Sequence, residues 1–396
     1  MFTNKKQLTP VIVLSAHTMG LGVIRSLGQK GIPVYAVSYS KSDMGRSSRF
    51  VKKYFISENP EESPEGFINS VVKIGKKLNT PILMPADDAT LKIVSQNKVL
   101  LSEYFRVACS DWSIIEKIIF KQHTYAIAEK LGVPTPASVI LKDESDIKYA
   151  AQKTNFPCIL KPFESHTFYE MFNKKMVLVK NQYQLEEVFH QINKTGAKLL
   201  LQEYIPGDDT AGVNYNSCSI RGEIKQDFLA HKVRMSDDGF GIPTTVVSSE
   251  MNKEVVSHSK LLLKELNYTG YSCIEYKYDE RDSQYKFMEI NGRYNRSVLL
   301  SLKCGINFPF LEYQGSVGEK ANYKRKYKTG VFWIDEYKDL QCNFKKIISG
   351  KLKISSFFRP YFKSNIKSVY YFGDLMPFIK RVIDSILYPF TNVLKK

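Results

Sequence analysis

Two β-prone segments joined by a polar turn constrain this chain more than any other feature. Tyr271-Ser272-Cys273-Ile274-Glu275-Tyr276-Lys277-Tyr278 and Tyr285-Lys286-Phe287-Met288-Glu289-Ile290-Asn291-Gly292-Arg293 are rich in aromatic and β-branched residues, and Asp279 to Gln284 has the composition of a turn. The pattern predicts a β-hairpin. With Tyr278 and Asp279 facing Lys286 and Tyr285, Glu275 stands opposite Glu289, and alternation puts Asn291 on the same face. Carboxylates opposed across a ladder repel each other. Either a cation sits between them or they pair with neighbouring lysines on a solvated face. Two carboxylates and an amide are hard oxygen ligands of the kind Mg²⁺ takes, with phosphate oxygens completing its shell.

Upstream, strands alternate with helices. Val11–Leu14, a small-residue turn, a helix over about Leu21–Lys30 and Ile32–Val37 form a βαβ unit. Phe50–Ser57 and Pro81–Pro85 read as further strands, with a helix over about Pro64–Leu78 between them. Such alternation implies a parallel sheet covered on both faces. A helix over Ile114–Leu131 runs into the stop Gly132-Val133-Pro134-Thr135-Pro136. Beyond it the order becomes α+β, with short strands at Val139–Leu141, Cys158–Lys161, Met176–Val179 and Leu199–Glu203 and a helix near Gln184–Asn193. Gly20-Leu21-Gly22 sits at a strand-to-helix turn, but Arg25 holds the place of a third glycine and the second strand ends without an acid. Those departures argue against a dinucleotide site and leave a tight turn.

The composition is that of a soluble globular protein, 43% hydrophobic and 24% charged over 396 residues. No apolar run reaches the roughly 20 residues needed to span a bilayer. The six cysteines are scattered without a CxxC pair, which argues against zinc and fits reduced thiols and a cytoplasmic location. Of the net charge of +17, the segment from Glu319 onward carries 17 Lys/Arg against 6 Asp/Glu, leaving +6 for the rest. A localised basic excess suits an anionic partner surface, or simply a solvated basic face. Near the end, Phe378, Ile379, Val382, Ile383, Ile386, Leu387 and Phe390 follow helical spacing, with Lys380 and Arg381 off the stripe and Pro389 expected to kink or end the helix. The stripe suits a helix docked on the protein's own core, or one lying on a membrane surface.

Two further segments carry chemistry. The strand Cys158-Ile159-Leu160-Lys161-Pro162 ends in a lysine that either snorkels to water or meets an anion such as phosphate. Leu199-Leu200-Leu201-Gln202-Glu203-Tyr204-Ile205-Pro206-Gly207-Asp208-Asp209 is a buried strand running into a turn followed by acids. In order, the Lys-Pro strand, Gln-Glu-Tyr-Ile-Pro-Gly and Glu…Glu-x-Asn-x-Arg resemble the ATP-grasp superfamily, which includes biotin carboxylase, D-alanine–D-alanine ligase and carboxylate–amine ligases. The resemblance spans about residues 1–315. It implies an α/β Rossmann-like (pre-ATP-grasp) domain over 1–115, then an α+β ATP-grasp domain over 116–318. The latter has a small lobe of about 116–195 and a large lobe of about 196–318. A basic, largely helical C-terminal segment, 319–396, follows.

By that likeness Lys121 and Lys161 contact ATP phosphates, Gln202 and Tyr204 line the nucleotide, Glu203 and Ile205 offer backbone groups to adenine, and Asp209 holds the ribose. Glu275, Glu289 and Asn291 ligate Mg²⁺ (or Mn²⁺), and Arg293 meets the transferring phosphoryl group. Lys232 or Arg234 reaches the γ-phosphate or the substrate carboxylate. The family's glycine-rich phosphate loop is replaced by Glu164–Lys175, which has no glycine, so that Lys174 or Lys175 substitutes a side-chain charge.

The function so implied is an ATP-dependent ligase that activates a carboxylate as an acyl phosphate and joins it to an amine, acting on small molecules or a cell-envelope or glycan precursor. The alternatives are a non-catalytic ATP-binding module of a membrane-associated assembly and a nicotinamide or sugar-nucleotide enzyme. The expected partners are the two substrates, an anionic membrane touched peripherally by the basic segment, and a second copy in a homodimer. Nucleic acid is disfavoured, because no recognised binding fold accompanies the charge.

Overall fold

The computed structural model describes residues 8–162, 176–193, 199–236 and 241–393. The chain forms two compact units, one of Met1–Leu131, Asp208–Tyr276 and Glu289–Lys396, the other of Gly132–Gly207 and Lys277–Met288.

The larger unit begins with β1 (Val11–Leu14), α1 (Thr18–Gly28), β2 (Val34–Ser38), β3 (Val51–Ile56), α2 (Pro64–Gly75), β4 (Ile82–Pro85), α3 (Asp88–Gln96), α4 (Lys98–Ser102) and β5 (Arg106–Val107). These strands form a sheet in the order β3-β2-β1-β4-β5, with every neighbouring pair parallel. All four residues of β1 are fully buried, as a central parallel strand covered on both faces must be. Val11 and Val13 enter one core with Val23, Ile24 and Leu27, whereas Ile12 and Leu14 enter another with Phe67, Val71 and Phe105.

The glycines of the first turn answer to close approach. A Cβ at Gly20 would lie 1.9 Å from the Ser15 carbonyl oxygen, and one at Gly22 would lie 2.4 Å from Val298 Cγ1. The helix expected over Ile114–Leu131 is two helices, α5 (Trp112–Ile119) and α6 (Lys121–Lys130). Phe120 separates them with an extended backbone, φ −90° and ψ 94°, so Lys121 opens α6 rather than sitting mid-helix.

The smaller unit holds β6 (Ser138–Leu141), α7 (Ser145–Lys153), β7 (Cys158–Pro162), β8 (Val177–Val179), α8 (Gln182–Asn193) and β9 (Leu199–Glu203). Its strands form an antiparallel sheet in the order β6-β9-β7-β8. Leu141, Leu160, Leu185, Phe189, Leu199 and Leu201 belong to its core.

A second sheet runs β14-β13-β10-β11-β12-β15-β16. It is built from β10 (Gly212–Ile220), β11 (Glu223–Met235), β12 (Pro243–Ser249), β13 (Gly270–Asp279), β14 (Gln284–Asn291), β15 (Phe332–Ile334) and β16 (Asn365–Lys367). The hairpin read from the sequence is β13–β14. With it come α9 (Lys253–Glu265), α10 (Val298–Lys303), α11 (Phe308–Ser316), α12 (Glu336–Ile348), α13 (Ile354–Phe362) and α14 (Met376–Val393).

The C-terminal segment is therefore not only helical. β15 pairs antiparallel with β12 and parallel with β16, and Trp333 on β15 is fully buried in the main core. Strands of three residues are too short to leave a periodic trace in a sequence. Pro389 does not end α14, which runs on to Val393. Among the described residues no helix is long and apolar enough to cross a membrane. The six cysteines are all free thiols.

Candidate functional site

In the larger unit the hairpin brings Glu275, Glu289 and Asn291 together. Asn291 Nδ2 donates to Glu289 Oε1 at 3.1 Å and to Glu275 Oε1 at 3.4 Å. Two lysines from distant elements converge on the same carboxylates. Lys121, at the start of α6, donates to Glu289 Oε2 at 2.5 Å, and Lys232, on β11, donates to Glu275 Oε2 at 2.6 Å. The repulsion expected between the glutamates is thus offset by lysines, but not by lysines of the hairpin itself.

Burial alone would raise the Glu289 carboxyl, yet Lys121 and Asn291 hold it well below the usual carboxylate range. Glu289 in turn raises the Lys121 ammonium. Burial would lower Lys232, and Glu275 more than reverses this. Arg293, two residues past Asn291, gives Nε and Nη2 to the two oxygens of Asp88, each at 3.1 Å. Burial opposes its charge, but Asp88 raises its pKa.

Among the described residues no group of three or more His, Cys, Asp or Glu gathers as a metal site. The donor set here is two carboxylates and one amide, which can turn either its nitrogen or its oxygen inward. That chemistry fits a hard divalent cation whose remaining ligands are not protein.

In the smaller unit, β9 lies between β6 and β7, with Gln202 opposite Ser138 and Ile159. Lys161 Nζ donates to Gln202 Oε1 at 2.6 Å, and Gln202 Nε2 donates to Ser138 Oγ at 3.0 Å. Lysine and glutamine therefore share one face of this sheet. At the strand end the N–H of Glu203 is given to Ala137 O and that of Tyr204 to Pro157 O. The expectation of free backbone groups narrows accordingly, leaving the Glu203 carbonyl and the Ile205 N–H as the candidates for a purine edge. Lys277 Nζ lies 5.1 Å from the centre of the Tyr204 ring, a cation–π contact.

One assignment is corrected. Arg234 is only 7% exposed, and its Nε and Nη2 grip both oxygens of the fully buried Asp339, at 2.9 and 2.6 Å. Nη2 also donates to Thr245 Oγ1, and the guanidinium lies over the Phe357 ring. A guanidinium so engaged is a core ion pair rather than a substrate contact. Lys232, two residues earlier on β11 and separated from Arg234 by a shift in the strand register, faces the glutamates instead.

Asp209 opens a short 3-10 turn at the start of β10, but its side chain lies outside the described residues, as do Lys174, Lys175 and the rest of the glycine-free segment. Sequence reasoning missed Asp88 as the partner of Arg293, and Arg281, which bridges Glu203 at 2.9 Å and Asp279 at 2.6 Å. It also missed Arg296 and Arg381, which meet on Asp335. A second arginine three residues after Arg293 was the only sequence signal for that group.

Comparison with known proteins finds likenesses to this chain. The model "Carbamoyl-phosphate synthase L chain, ATP binding domain" matches residues 230–321, the stretch that holds Lys232, Glu275, Glu289, Asn291 and Arg293. The D-aspartate ligase of Enterococcus faecium (strain Aus0004) is 27% identical over 286 residues. In these matches, as in the order of its motifs, the chain resembles the ATP-grasp superfamily.

The match to D-aspartate ligase covers 66% of each chain, so this chain spans just under two thirds of that relative's length. Among solved ATP-grasp structures, an L-amino acid ligase from Bacillus licheniformis superposes with a TM-score of 0.61 at 16% identity, covering 79% of this chain and 75% of its own. N5-carboxyaminoimidazole synthetase from Staphylococcus aureus, complexed with ADP, gives 0.63 at 16% identity, covering 83% and 82%. At such identities these structures speak to the ATP-grasp fold alone.

Proposed function

We propose that this protein is a Mg-ATP-dependent ligase joining a carboxylate to an amine. The observation that carries the reading is the convergence of Glu275, Glu289 and Asn291 with Lys121 and Lys232. The matched relatives support it: the names D-aspartate ligase and L-amino acid ligase both describe ligases of amino acids.

Glu275, Glu289 and Asn291 would hold Mg²⁺, which supplies charge neutralisation at phosphate oxygens. The smaller unit supplies Lys161 for phosphate, Gln202 and Tyr204 along the nucleotide, and Glu203 and Ile205 for the adenine edge; Asp209 remains our candidate for ribose and Lys175 for phosphate. A substrate carboxylate oxygen attacks the γ-phosphorus and the bond to ADP breaks, giving an acyl phosphate. The amine nitrogen then attacks the acyl carbon, inorganic phosphate leaves, and the nitrogen loses a proton. Lys121, Lys232 and Arg293 supply fixed positive charge where the phosphoryl charge spreads, so catalysis rests on positioning and electrostatics rather than on a nucleophilic side chain.

The test is ADP release from Mg-ATP with pools of amino acids, hydroxy acids and amines, using hydroxylamine to trap the acyl phosphate. Release that depends on the pool and vanishes in Glu289→Ala supports the ligase. Tight nucleotide binding without release under any pool favours the non-catalytic module, and absence of nucleotide binding overturns both.

We also propose peripheral contact with an anionic lipid surface, which would suit a cell-envelope or glycan precursor as substrate. On α12, Leu340, Phe344 and Ile348 are more than half exposed at four-residue spacing, and on α13 the exposed Ile354, Phe358 and Phe362 repeat the spacing. Lys345, Lys346, Lys351, Lys353, Arg359 and Lys363 are interleaved with them in sequence. Apolar stripes with basic flanks are what an anionic interface takes. Cosedimentation with vesicles containing phosphatidylglycerol should be lost in Phe344→Glu/Phe362→Glu and absent with neutral vesicles. Equal pelleting of variant and wild type would remove the proposal.

A further inference from the structure

The larger unit contains a cavity of about 320 Å³ lined by His17, Thr18, Arg296, Lys338 and Arg381, among others. None of these residues has a part in the nucleotide or metal assignment. The cavity opens at the start of α1, where Thr18 is the first helical residue. Its other wall comes from the loop after β14 and from the C-terminal helices α12 and α14.

Two arginines here share one buried carboxylate, with Lys338 beside them. Asp335, fully buried, accepts from Arg296 Nη2 and, at 2.8 Å, from Arg381 Nη2. It also caps α12 by accepting the N–H of Lys338 at 3.2 Å. The Asp384 carboxylate at the cavity edge is engaged by Lys380 at 3.0 Å. The charge of Lys338 is therefore left over, and positive charge crowds the wall.

The polar groups are incompletely used as well. Arg296 Nε, Arg381 Nη1 and Thr18 Oγ1 are buried and lack a hydrogen-bond partner among the described residues. Thr18 is 2% exposed and the Arg381 side chain 10% exposed. Buried donors left unpaired are costly unless a ligand satisfies them. Three residues that line one cavity beside a helix N-terminus thus carry unpaired donors, alongside the acceptor Asp384 Oδ2, and donors of this kind are what an oxyanion takes.

We propose that this cavity is an oxyanion site, taking a carboxylate or phosphate group carried by a small-molecule substrate. Burial, with Arg296, Arg381 and Lys338 nearby, drives the His17 pKa down to about 4. His17 is then neutral at physiological pH and lines the site as a hydrogen-bonding group. Burial, followed by Arg296, lowers the pKa of Lys338, the response of a cation held among cations. An arriving anion relieves both. Arg296 lies three residues beyond Arg293 on the same loop, so the chain that carries the candidate metal ligands also carries a wall of this cavity. That the anion belongs to a substrate rests on the ligase reading; that the cavity binds an oxyanion does not.

The experiment titrates the full-length protein with succinate and, separately, with inorganic phosphate, in the presence of Mg-ADP, following heat or amide shifts. Lys338→Met and Thr18→Val are the test variants, because neither removes a partner of Asp335. Binding of one or both anions, weakened about tenfold or more in both variants with melting temperature and Mg-ADP affinity unchanged, is the expected result. Succinate alone would mark a carboxylate subsite, and phosphate alone a phosphate subsite. No binding of either anion, or binding that both variants retain, overturns the site. Loss of Mg-ADP binding in the wild type counts against the ligase reading and leaves the anion result to stand by itself.

Discussion

Arg25 occupies the place where a dinucleotide-binding turn would carry its third glycine, and the structure gives that arginine a different task. It is 1% exposed, donates from Nε to Asp374 Oδ2 at 2.9 Å, and donates from Nη2 to the carbonyls of Val369 and Asp374. Asp374 also accepts from Ser48 Oγ and the N–H of Arg49. Asp374→Ala leaves a buried guanidinium without its counter-charge and should cost about 3–5 kcal/mol of stability, read by denaturant unfolding; a cost within experimental error would show the pair to be dispensable. Glu312 makes a second residue-level test. Burial pushes its carboxyl up to about 7 from 4.5, although Tyr294 donates to it. Between those values the native state holds a proton that the unfolded chain has released. Its stabilising contribution is therefore complete below about pH 4.5 and lost as the pH rises through about 7. Glu312→Gln should flatten the fall in melting temperature over that window, and parallel curves for the two proteins would contradict the assignment.

At the scale of elements, the hairpin was legible because aromatic and β-branched residues alternate on both sides of a polar turn, and the first parallel sheet because its strands are short apolar runs between helices. What could not be read is what long-range pairing decides. Nothing local announces that Lys121 and Lys232 close on the hairpin's glutamates, or that Arg234 turns away to Asp339. On α14 the spacing marked an apolar stripe with Arg381 off it. In the structure Arg381 is the side chain turned inward to Asp335, Phe378 packs on Leu21, Met44 and Val369, and Ile379, Ile383 and Ile386 stay exposed. A buried carboxylate overrode the hydrophobic pattern. β15 and β16 have a consequence for the segment after residue 318, which looks like a detachable basic tail. Deleting 319–396 removes Trp333 from the core and Asp374 from Arg25, and a buried Trp or Phe lost from a core costs about 3–5 kcal/mol by itself. The truncated chain should show no cooperative melting transition; a normal transition would mean that the segment is peripheral.

At the scale of the molecule, each compact unit carries its own candidate groups: lysine, glutamine and a strand end on the smaller, carboxylates, amide, lysines and arginine on the larger. The ordering of these parts along the chain was readable, because ATP-grasp motifs keep their sequence order. The substrate end was not, because its candidate residues, His17, Arg296, Lys338 and Arg381, lie up to hundreds of positions apart and share no motif. The central claim is that the hairpin's oxygens hold the metal of a metal–nucleotide complex. Mn²⁺ binding, followed by loss of the free-ion electron paramagnetic resonance signal with and without ADP, tests it most directly. Wild-type protein should take up Mn²⁺ with ADP present, and Glu275→Gln/Glu289→Gln should weaken that uptake about a hundredfold or more while remaining folded. Equal uptake by wild type and the double variant would place the metal elsewhere and contradict the account.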